Sequence, residues 1–528
     1  MTIATEKLNL KQTDCINPAT GKSIGTSPIH SISDLKDAID KAKIAQTDWA
    51  SLSINERIKS IKKINEYLLA NADRIAVIVS EDNGKTKIDA LATEVFPANI
   101  ALKYYCKKAP KFLKEKKLSA STFILSFKRS KVIRVPYGVI GIFSPWNYPF
   151  NIPFAEVIKA LLAGNAVILK VASETQKVGL ILKECIESAD LPKNIFNYIN
   201  MPGRIAGNAF LENGIDKLFF TGSGDVGKKL SVKAAETLTP VSLELGGNDA
   251  MLVCEDADVQ RAAGGAAWAG FQNCGQSCGG VERIYVHENV YEDFLKELAK
   301  ITESFRVGIG INYDNDIGAM TTEKQIGVIK NHITDALKKG ARIFVQSMIP
   351  EEVKLKNFIP ATVLTNVNHE MLVMQEESFG PVVGVMKVSS MDEAIKLAND
   401  SNLGLTASVW SKDKKKAIEL AKRIQAGAIT INDHLMSHGL HETPWGGFKE
   451  SGTGRTHGEI GFAGMTQPQV IVNDILPFVK KDLWWYPYNK KLYDGLLGLQ
   501  DFLYSNSLAK RFVGFWKTIR IVPRMFKL

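Results

Sequence analysis

Short apolar runs separated by longer amphipathic stretches constrain the fold of this sequence more than any other feature. The runs 139–143 and 166–170 are five residues long and contain several Val and Ile residues, which is typical of buried strands. The apolar stretch between them is long enough for a helix and ends near Gly164. Strands that alternate with helices usually pair in parallel. The sequence therefore predicts an α/β fold in which helices cover parallel sheets.

A capping box marks the start of another predicted helix. Ser53 and Glu56 stand three residues apart at the start of a run with helical periodicity, where each side chain can accept a backbone N–H of the first turn. The pattern predicts one long helix that continues to about Gly84.

The length of 528 residues predicts about two to four domains. Apolar residues make up 45% and charged residues 23%, a balance that excludes disordered, collagen-like and multi-span membrane proteins. No apolar run reaches the roughly 18 residues of a membrane-spanning helix. The first residues lack the apolar segment of a secretory signal. These features, with six scattered cysteines, predict a cytoplasmic protein with reduced thiols.

Positive charge is concentrated in two segments. The formal net charge is +10, but residues 101–135 alone carry +10 and residues 477–528 carry +7, so the rest has a net charge of −7. The second segment also holds 12 of the 45 aromatic residues. Rings and cations together are typical of segments at an anionic membrane surface. An apolar stripe at helical spacing supports that interpretation: Leu492, Leu496, Leu499 and Leu503.

Two other interpretations of residues 477–528 stay open. The segment packs on a neighbouring subunit, or its rings and cations stack on nucleic-acid bases. No RNA- or DNA-binding motif accompanies it, so we predict no nucleic-acid partner.

The strongest chemical signal is the segment FQNCGQSC at residues 271–278. A nucleophilic thiol needs access to its substrate and nearby amide dipoles that favour the thiolate. Gly275, Gly279 and Gly280 leave room around Cys278. Taken alone, composition favours the alternative, an inert cysteine in a glycine-rich packing contact.

Glu244 ends a predicted apolar strand, where burial would raise its pKa toward that of a general base. A structural ion pair or a solvated strand end is the alternative. Gly222, Gly224 and Gly227 match G-x-G-x-x-G after a strand, which would make Glu244 a ribose ligand instead. One carboxylate cannot easily serve both purposes, and a tight turn also explains the glycines.

Asn147 follows another predicted strand, between Pro145 and Pro149. Its side-chain N–H groups can stabilise a developing oxyanion, although a proline-bracketed turn is the commoner explanation.

Together, these segments resemble the NAD(P)-dependent aldehyde dehydrogenase superfamily. EESFGP at 376–381 and PWGGFKESG at 444–452 match it too, and the similarity runs from about Asp14 to Gln467. The resemblance implies two Rossmann-like parallel α/β domains plus a β oligomerisation arm. The implied cofactor-binding domain comprises residues 1–120 and 136–245, and the catalytic domain comprises 246–445. The arm comprises 121–135 and 467–476, and the basic aromatic extension comprises 477–528.

The resemblance also implies a role for each matching residue. Cys278 is the nucleophile that forms a thiohemiacetal and then a thioester, Glu244 activates the water that releases the acid, and Asn147 holds the oxyanion. Gly224 has no role in the family's cofactor loop, which decides against the G-x-G-x-x-G interpretation. The residues expected to bind the cofactor, NAD or NADP, are Trp146, Lys170, Ser173, Glu174, Gly222, Ser223, Glu377 and Phe379.

Three departures from the family pattern modify these expectations. Ser173 stands where NAD-preferring members often carry Glu, and Glu174 follows it, so NADP or dual use is slightly favoured. Many relatives carry Lys where this chain has Glu156, which places a proton relay at that position in doubt. The third departure is a group of histidines in the segment that matches the substrate-entrance loop. We interpret them as solvated loop residues rather than metal ligands, and we predict no metal site: His434, His438 and His441.

The predicted function is the oxidation of an aldehyde to the carboxylic acid, with a lipophilic, medium- or long-chain aldehyde as the hypothesis. The enzyme is expected to be a homodimer or homotetramer in contact with an anionic membrane surface. The alternatives are a membrane-associated scaffold without activity and a CoA-acylating or reductase relative. The intact Cys278, Glu244 and Asn147 argue against a scaffold. A reaction without hydrolysis would not need Glu244.

Overall fold

A computed structural model describes residues 12–311, 313–353 and 357–527. The chain forms two compact units, Met1–Leu113 with Val135–Gln467, and Lys114–Arg134 with Pro468–Leu528. The predicted α/β class is confirmed, because the larger unit contains two mainly parallel sheets, each with its own apolar core. The predicted domain boundaries stay predictions.

The first sheet has six strands. Its pairs are parallel, except that the two-residue edge strand runs antiparallel to its neighbour. The order across the sheet is Gly452–Thr453, Val241–Glu244, Lys217–Thr221, Val139–Phe143, Ala166–Lys170 and Phe196–Tyr198. The helices in this part of the chain are Ile32–Ser51, Ile54–Ile61, Ile64–Ala70, Ala72–Asn83, Lys87–Ala90, Phe96–Phe112, Asn151–Leu162, Gln176–Glu187, Gly203–Glu212 and Gly224–Thr237.

The second sheet has seven strands and is parallel apart from its first pair. The order is Arg342–Gln346, Thr362–Thr365, Val382–Val388, Val281–His287, Asp249–Val253, Thr406–Trp410 and Ala428–Ile431. The helices that follow Gly224–Thr237 in this unit are Val259–Phe271, Tyr291–Ser304, Glu323–Lys338, Leu372–Gln375, Met391–Asn399, Lys414–Ala421, Met436–Gly439 and Gly458–Ala463. Two short pairs complete the unit: Gln12–Ile16 with Ser23–Pro28, and Leu403–Gly404 with Phe448–Lys449.

The capping box at Ser53 and Glu56 is confirmed, but the long helix predicted after it is wrong. The segment is broken into three helices, with the second break at Asn71. There the Asn71 side chain donates a hydrogen bond to the Tyr67 carbonyl oxygen at 3.0 Å. Asparagine side chains compete with the backbone in this way, which the apolar periodicity does not reveal.

The smaller unit combines a three-stranded sheet and a helical hairpin. The sheet order is Thr466–Asp474, Lys128–Pro136 and Lys116–Leu118. The hairpin helices Lys490–Tyr504 and Leu508–Ile519 cross where Gly498 meets Gly514, since a Cβ at Gly514 would lie 2.3 Å from the Gly498 carbonyl oxygen. Among the residues described, no helix has both the length and the apolarity to span a bilayer.

The structure contradicts part of the prediction that the leucine stripe of residues 492–503 contacts a membrane. Leu492 is buried against Leu483 and Ile521, and Leu496 packs on the same cluster. This end of the stripe therefore holds the hairpin together. The exposed apolar face lies instead on the second helix, at Leu508, Phe512, Trp516 and Ile519.

Candidate active site

Cys278 lies in a sharply turned loop between the helix Val259–Phe271 and the strand Val281–His287. Asn273, Cys274 and Gly275 have φ angles of 53°, 55° and 70°, a left-handed conformation that costs energy for side chains other than glycine. A Cβ at Gly275 would lie 2.2 Å from the Gly380 carbonyl oxygen, so only glycine fits there. The turn places the half-buried Cys278 on the walls of three cavities.

The loop that carries Asn147 is fixed on the other side of the sulfur. The Asn147 Nδ2 donates to the Gln276 carbonyl oxygen at 3.1 Å, and Asn273 Nδ2 donates to the Asn147 carbonyl oxygen at 3.0 Å. These bonds tie the Asn147 loop to the nucleophile loop. An amide nitrogen has two N–H donors, so one remains for an oxyanion on the substrate.

A buried ion pair behind Asn147 holds its loop in place. Lys85 Nζ lies 2.7 Å from Glu94 Oε1, and both side chains are fully buried. The same ammonium group donates to the Asn147 carbonyl oxygen at 2.8 Å. Glu94 Oε2 accepts the backbone N–H groups of Phe150 and Asn151 at 3.0 and 2.8 Å. Burial lowers the pKa of Lys85, and the Glu94 carboxylate opposes that shift.

Glu244 ends its strand beside Gly452 of the antiparallel edge strand. Burial, and secondarily the nearby Glu156 carboxylate, raise its pKa well above the usual range. Glu244 Oε2 is buried without a hydrogen-bond partner among the described residues. The carboxyl group lines a cavity of about 390 Å³ together with Cys278. A carboxyl group with this environment is suited to act as a general base on a water molecule.

The surroundings of Cys278 disfavour the thiolate. Burial raises the pKa of the thiol above its usual value, and the carboxyl groups of Glu377, Asp249 and Glu244 add to the shift. The sequence suggested amide dipoles that favour the thiolate. Instead, the structure surrounds the sulfur with acidic groups, so the thiol is the stable form in the protein alone.

A second cavity beside Cys278, of about 570 Å³, brings together most of the predicted cofactor residues. Asn147, Cys278, Trp146, Gly222, Ser223, Glu377 and Phe379 all line it. Ser223 is the N-cap of the 14-residue helix Gly224–Thr237, and its side chain makes no hydrogen bond to the first turn. A helix N-terminus binds phosphate, and a Glu377 carboxylate can accept ribose hydroxyls. The cavity therefore fits a dinucleotide.

The glycines of the cofactor loop differ in how much space a side chain would have at each position. A Cβ at Gly222 would lie 2.6 Å from the Phe220 ring, and one at Gly227 would lie 2.7 Å from Leu245. A Cβ at Gly224 would meet nothing within 4 Å, which agrees with the expectation that Gly224 is incidental.

Three predicted cofactor residues do not line this cavity. Lys170 is buried at the end of its strand, where burial lowers its pKa and the nearby Glu174 carboxylate opposes the shift. Ser173 and Glu174 are exposed in the 3₁₀ turn that follows. The structure thus separates these residues from the group around Cys278.

The third cavity is a tunnel of about 1060 Å³ with Cys278 in its wall. Tyr148 and Gln272 form a hydrogen bond of 2.7 Å in this wall. Most of the lining is apolar or aromatic, including Ile88, Phe96, Ile100, Trp268, Leu435, Met436 and Trp445.

Sequence reasoning missed the residues that position the site. Besides Lys85 and Glu94, the buried Glu282 accepts the backbone N–H groups of Ser378 and Phe379, both at 2.8 Å. It thereby holds Phe379 in its left-handed conformation, with φ of 49°. A buried carboxylate within an apolar strand is a costly feature, and this is the one signal that could have revealed Glu282.

The interpretation of the loop histidines as solvated is wrong. His434 and His441 are buried, and His438 is half-buried. His434 Nδ1 lies 2.7 Å from Ser408 Oγ, and Nε2 lies 3.1 Å from the Gly279 carbonyl oxygen. In the part of the chain that the structure describes, these histidines do not gather into a three-ligand group. The His438 ring packs against Trp445 and His457, and the His441 ring packs against His457.

Known proteins resemble the chain over most of its length. The model of the aldehyde dehydrogenase family matches residues 5–471. A 4,4'-diapolycopene aldehyde oxidase from Methylomonas sp is 37% identical over 94% of this chain and 92% of that protein. The chain belongs to the aldehyde dehydrogenase family.

Other aldehyde dehydrogenases agree with this assignment. A putative NADP(+) succinate-semialdehyde dehydrogenase from Mycolicibacterium smegmatis is 34% identical over 89% of this chain and 90% of its own length. The crystal structure of an NAD-dependent aldehyde dehydrogenase from Sinorhizobium meliloti matches with a TM-score of 0.84 at 31% identity, covering 90% and 93% of the two chains. The predicted NAD(P)-dependent oxidation of an aldehyde to the acid is confirmed at the level of the family. The scaffold alternative is set aside.

Removal of the buried ammonium group will destabilise this aldehyde dehydrogenase. Lys85→Met leaves the Glu94 charge buried without its partner, and such a loss costs about 3–5 kcal/mol. We expect that decrease in the free energy of unfolding by urea denaturation, together with a lower kcat because the Asn147 loop loosens. Lys87→Met is the matched control, because the partner of Lys87 is the exposed Asp73 and such pairs contribute little to stability. Equal stability of the two variants would contradict the assigned role of Lys85.

Alkylation of Cys278 in the enzyme without cofactor will report its raised pKa. Only the thiolate reacts, and an ordinary cysteine has a pKa of about 8.5. The rate with iodoacetamide should therefore rise about tenfold per pH unit and show no plateau up to about pH 8.5. Peptide mass spectrometry identifies the labelled residue, and Cys278→Ser is the control. A plateau near neutral pH would show that the site stabilises the thiolate.

Proposed function

We propose that this aldehyde dehydrogenase oxidises a neutral, apolar aldehyde of medium or long chain. The observation that carries the proposal is the chemistry of the tunnel. Among the described residues, its lining contains no Lys or Arg, and Asp89 is its only charged residue. Burial raises the pKa of Asp89. Because the described lining contains no Lys or Arg, the tunnel offers no cation to a substrate carboxylate. Burying an unpaired carboxylate is costly, which disfavours aldehydes that carry an acid group.

The tunnel rim supports the same substrate class. Large apolar side chains stand exposed around the opening, where they can contact an alkyl chain before it enters: Ile88, Phe96, Ile100, Trp268 and Met436. The Methylomonas relative is named for a diapolycopene aldehyde, whereas the Mycolicibacterium relative is named for succinate semialdehyde. The lack of cations among the described residues of this tunnel argues for a substrate unlike the second.

In the proposed mechanism, Cys278 is the nucleophile. Its sulfur attacks the carbonyl carbon and loses its proton to a neighbouring carboxylate, which becomes a neutral carboxyl group, since the raised thiol pKa requires proton transfer with the attack. The Asn147 side chain and the Cys278 backbone N–H donate to the oxygen that becomes negative. NAD(P)⁺ supplies the oxidising power by accepting a hydride when it is bound, and a thioester remains on Cys278.

Glu244 then acts as the base for hydrolysis. It removes a proton from water while the water oxygen bonds to the thioester carbon, and the C–S bond breaks to release the acid and the sulfur. The carboxyl group is desolvated and shares a cavity with Cys278, which suits it to hold a proton during this step.

The proposed cofactor residues divide into two groups. Gly222 and Ser223 hold the phosphates at the helix N-terminus, Glu377 accepts ribose hydroxyls, and Trp146 and Phe379 enclose the nicotinamide. These two rings meet edge to face, with centroids 5.3 Å apart. Lys170, Ser173 and Glu174 are proposed for the adenosine end, where the serine favours NADP or dual use.

We further propose a homodimer or homotetramer formed through the arm. The strand Thr466–Asp474 is nine residues long and lies at the edge of its sheet. Val470, Ile471 and Val472 are exposed on it. A long, apolar edge strand is a template for pairing with another chain, which supports association through this strand.

Contact with an anionic membrane surface is proposed for the hairpin helix Leu508–Ile519. Its exposed residues Leu508, Phe512, Trp516 and Ile519 follow helical spacing. Residues 505–528 contain six Lys or Arg and no Asp or Glu, so a second copy of the helix would be repelled, and anionic lipid would be attracted. Each cation near such a surface contributes about 1 kcal/mol.

The free state of all six cysteines supports a reducing, cytoplasmic compartment.

The substrate proposal predicts how kcat/KM depends on chain length. Each methylene buried in the tunnel contributes about 0.8 kcal/mol, roughly a fourfold gain, so kcat/KM should rise from butanal upward until the tunnel is filled. Steady-state kinetics with NAD and NADP in parallel measure this rise and the cofactor preference.

Succinate semialdehyde provides the contrast, with an expected kcat/KM below that of butanal. Ala92→Arg places a cation in the tunnel lining and should raise the ratio of succinate semialdehyde to butanal. Ala92→Met is the matched control without charge. A wild-type enzyme that prefers succinate semialdehyde would overturn the neutral-substrate proposal.

The membrane proposal predicts that Phe512→Ser/Trp516→Ser abolishes flotation with vesicles containing phosphatidylserine. Wild-type protein should float with these vesicles and not with phosphatidylcholine alone, and Leu238→Ser is the control at an exposed residue of the larger unit. Light scattering should give the same dimer or tetramer for all three proteins, because the arm is untouched. Flotation of the double variant at the wild-type level would reject this helix as the contact.

A further inference from the structure

His438 lies between the tunnel and the cavity of the predicted base. It belongs to the short helix Met436–Gly439 and lines the tunnel. It also lines the separate cavity that contains Glu244 and Cys278. The imidazole ring is therefore next to the space in which a water molecule must approach the Cys278 thioester.

The ring nitrogens of His438 are unused among the described residues, whereas His434 uses both of its nitrogens and His441 uses one. The ring packs edge-on against Trp445 at a centroid distance of 4.9 Å and lies 4.9 Å from the His457 ring. His434 binds Ser408 and Gly279, and His441 Nε2 binds the Pro97 carbonyl oxygen at 3.1 Å. Among the described residues, no protein group accepts from or donates to either nitrogen of His438.

The protonation state of His438 is set by its surroundings. Burial lowers its pKa to about 3, and His441 and Lys159 contribute to that shift. The ring is therefore neutral at physiological pH. A neutral imidazole carries one hydrogen-bond donor and one acceptor, which is the complement that a water molecule requires.

We propose that His438 is a further catalytic residue that holds the hydrolytic water opposite Glu244. This inference rests on the proposed function of Cys278 and Glu244. Glu244 takes one proton of the water, the oxygen bonds to the thioester carbon, and the C–S bond breaks. His438 accepts the hydrogen bond of the second O–H and keeps its own protonation state unchanged. It thereby directs the oxygen lone pair toward the acyl carbon.

A purely structural role makes a different prediction. If the ring only fills space against Trp445, a phenyl ring of similar shape would replace it without slowing hydrolysis. Phenylalanine keeps the packing and removes both nitrogens, so it separates the two roles.

The experiment follows formation and hydrolysis of the acyl-enzyme without cofactor. p-Nitrophenyl acetate acylates a cysteine nucleophile directly and releases p-nitrophenolate, which reports the acylation rate under single-turnover conditions. Acid quenching and intact-protein mass spectrometry then follow the loss of the acyl group from Cys278. Wild type is compared with His438→Phe, His438→Met, His438→Asn and His438→Gln. The control variant is Leu440→Ala, which changes only an exposed side chain of the same loop, two residues after His438.

We expect His438→Phe and His438→Met to acylate at about the wild-type rate and to lose the acyl group roughly 100-fold more slowly, the lower end of the range for acid–base assistance. His438→Asn or His438→Gln should recover most of the lost rate, because an amide retains a donor and an acceptor. Leu440→Ala should match wild type in both steps.

Hydrolysis at the wild-type rate in His438→Phe would overturn the proposal, as would an equal loss of both rates without recovery in the amide variants. Failure of the proposed function would look different. In that case, wild-type enzyme would form no NAD(P)H from any aldehyde of the chain-length series, whatever the acyl-enzyme measurements showed.

Discussion

The buried ion pair between Lys85 and Glu94 is the interaction on which the geometry of the active site depends. It joins the Asn147 carbonyl oxygen on one side to the first N–H groups of the helix Asn151–Leu162 on the other. Neither charge has access to water, so each requires the other, and the loop between them cannot move without exposing an unpaired charge. The Asn147 side chain then reaches the nucleophile loop. The position of the oxyanion donor relative to Cys278 follows from this pair.

Acidic groups dominate the electrostatics around the sulfur. Glu244, Glu377 and Asp249 each raise the pKa of Cys278, and burial in turn raises the pKa of each of these carboxyl groups. Burial therefore opposes the charged form of each of these four groups. A site of this kind disfavours the early formation of charge, and a carboxyl group beside the sulfur can accept the thiol proton only while it is ionised. It also disfavours anionic substrates, as does the tunnel, whose described lining holds no Lys or Arg.

Much of the fold could be predicted from local patterns. The runs 139–143 and 166–170 form the predicted parallel strands, because short, branched apolar runs have few other ways to bury both faces. The helix after Ser53 was predicted too long, since the hydrogen bond of Asn71 to Tyr67 competes with a periodicity that continues through it. The histidines of the loop were predicted to be solvated, because local sequence does not show that His438 and His441 pack against His457. Glu282 was missed because Ser378 and Phe379 lie far away in the chain, and Lys85 was missed because the Asn147 carbonyl oxygen does too.

The sequence by itself determined the identity of the reacting groups and the family to which they belong. Cys278, Glu244 and Asn147 each stand in a short recognisable segment, and such segments are local. Only the tertiary structure decided how these groups are held and which charges surround them. The hydrogen bond of Lys85 to the Asn147 loop, the crowding of carboxyl groups at the sulfur and the surroundings of His438 all depend on contacts between distant segments. Burial and dielectric environment are properties of packing, so no local pattern could have revealed them.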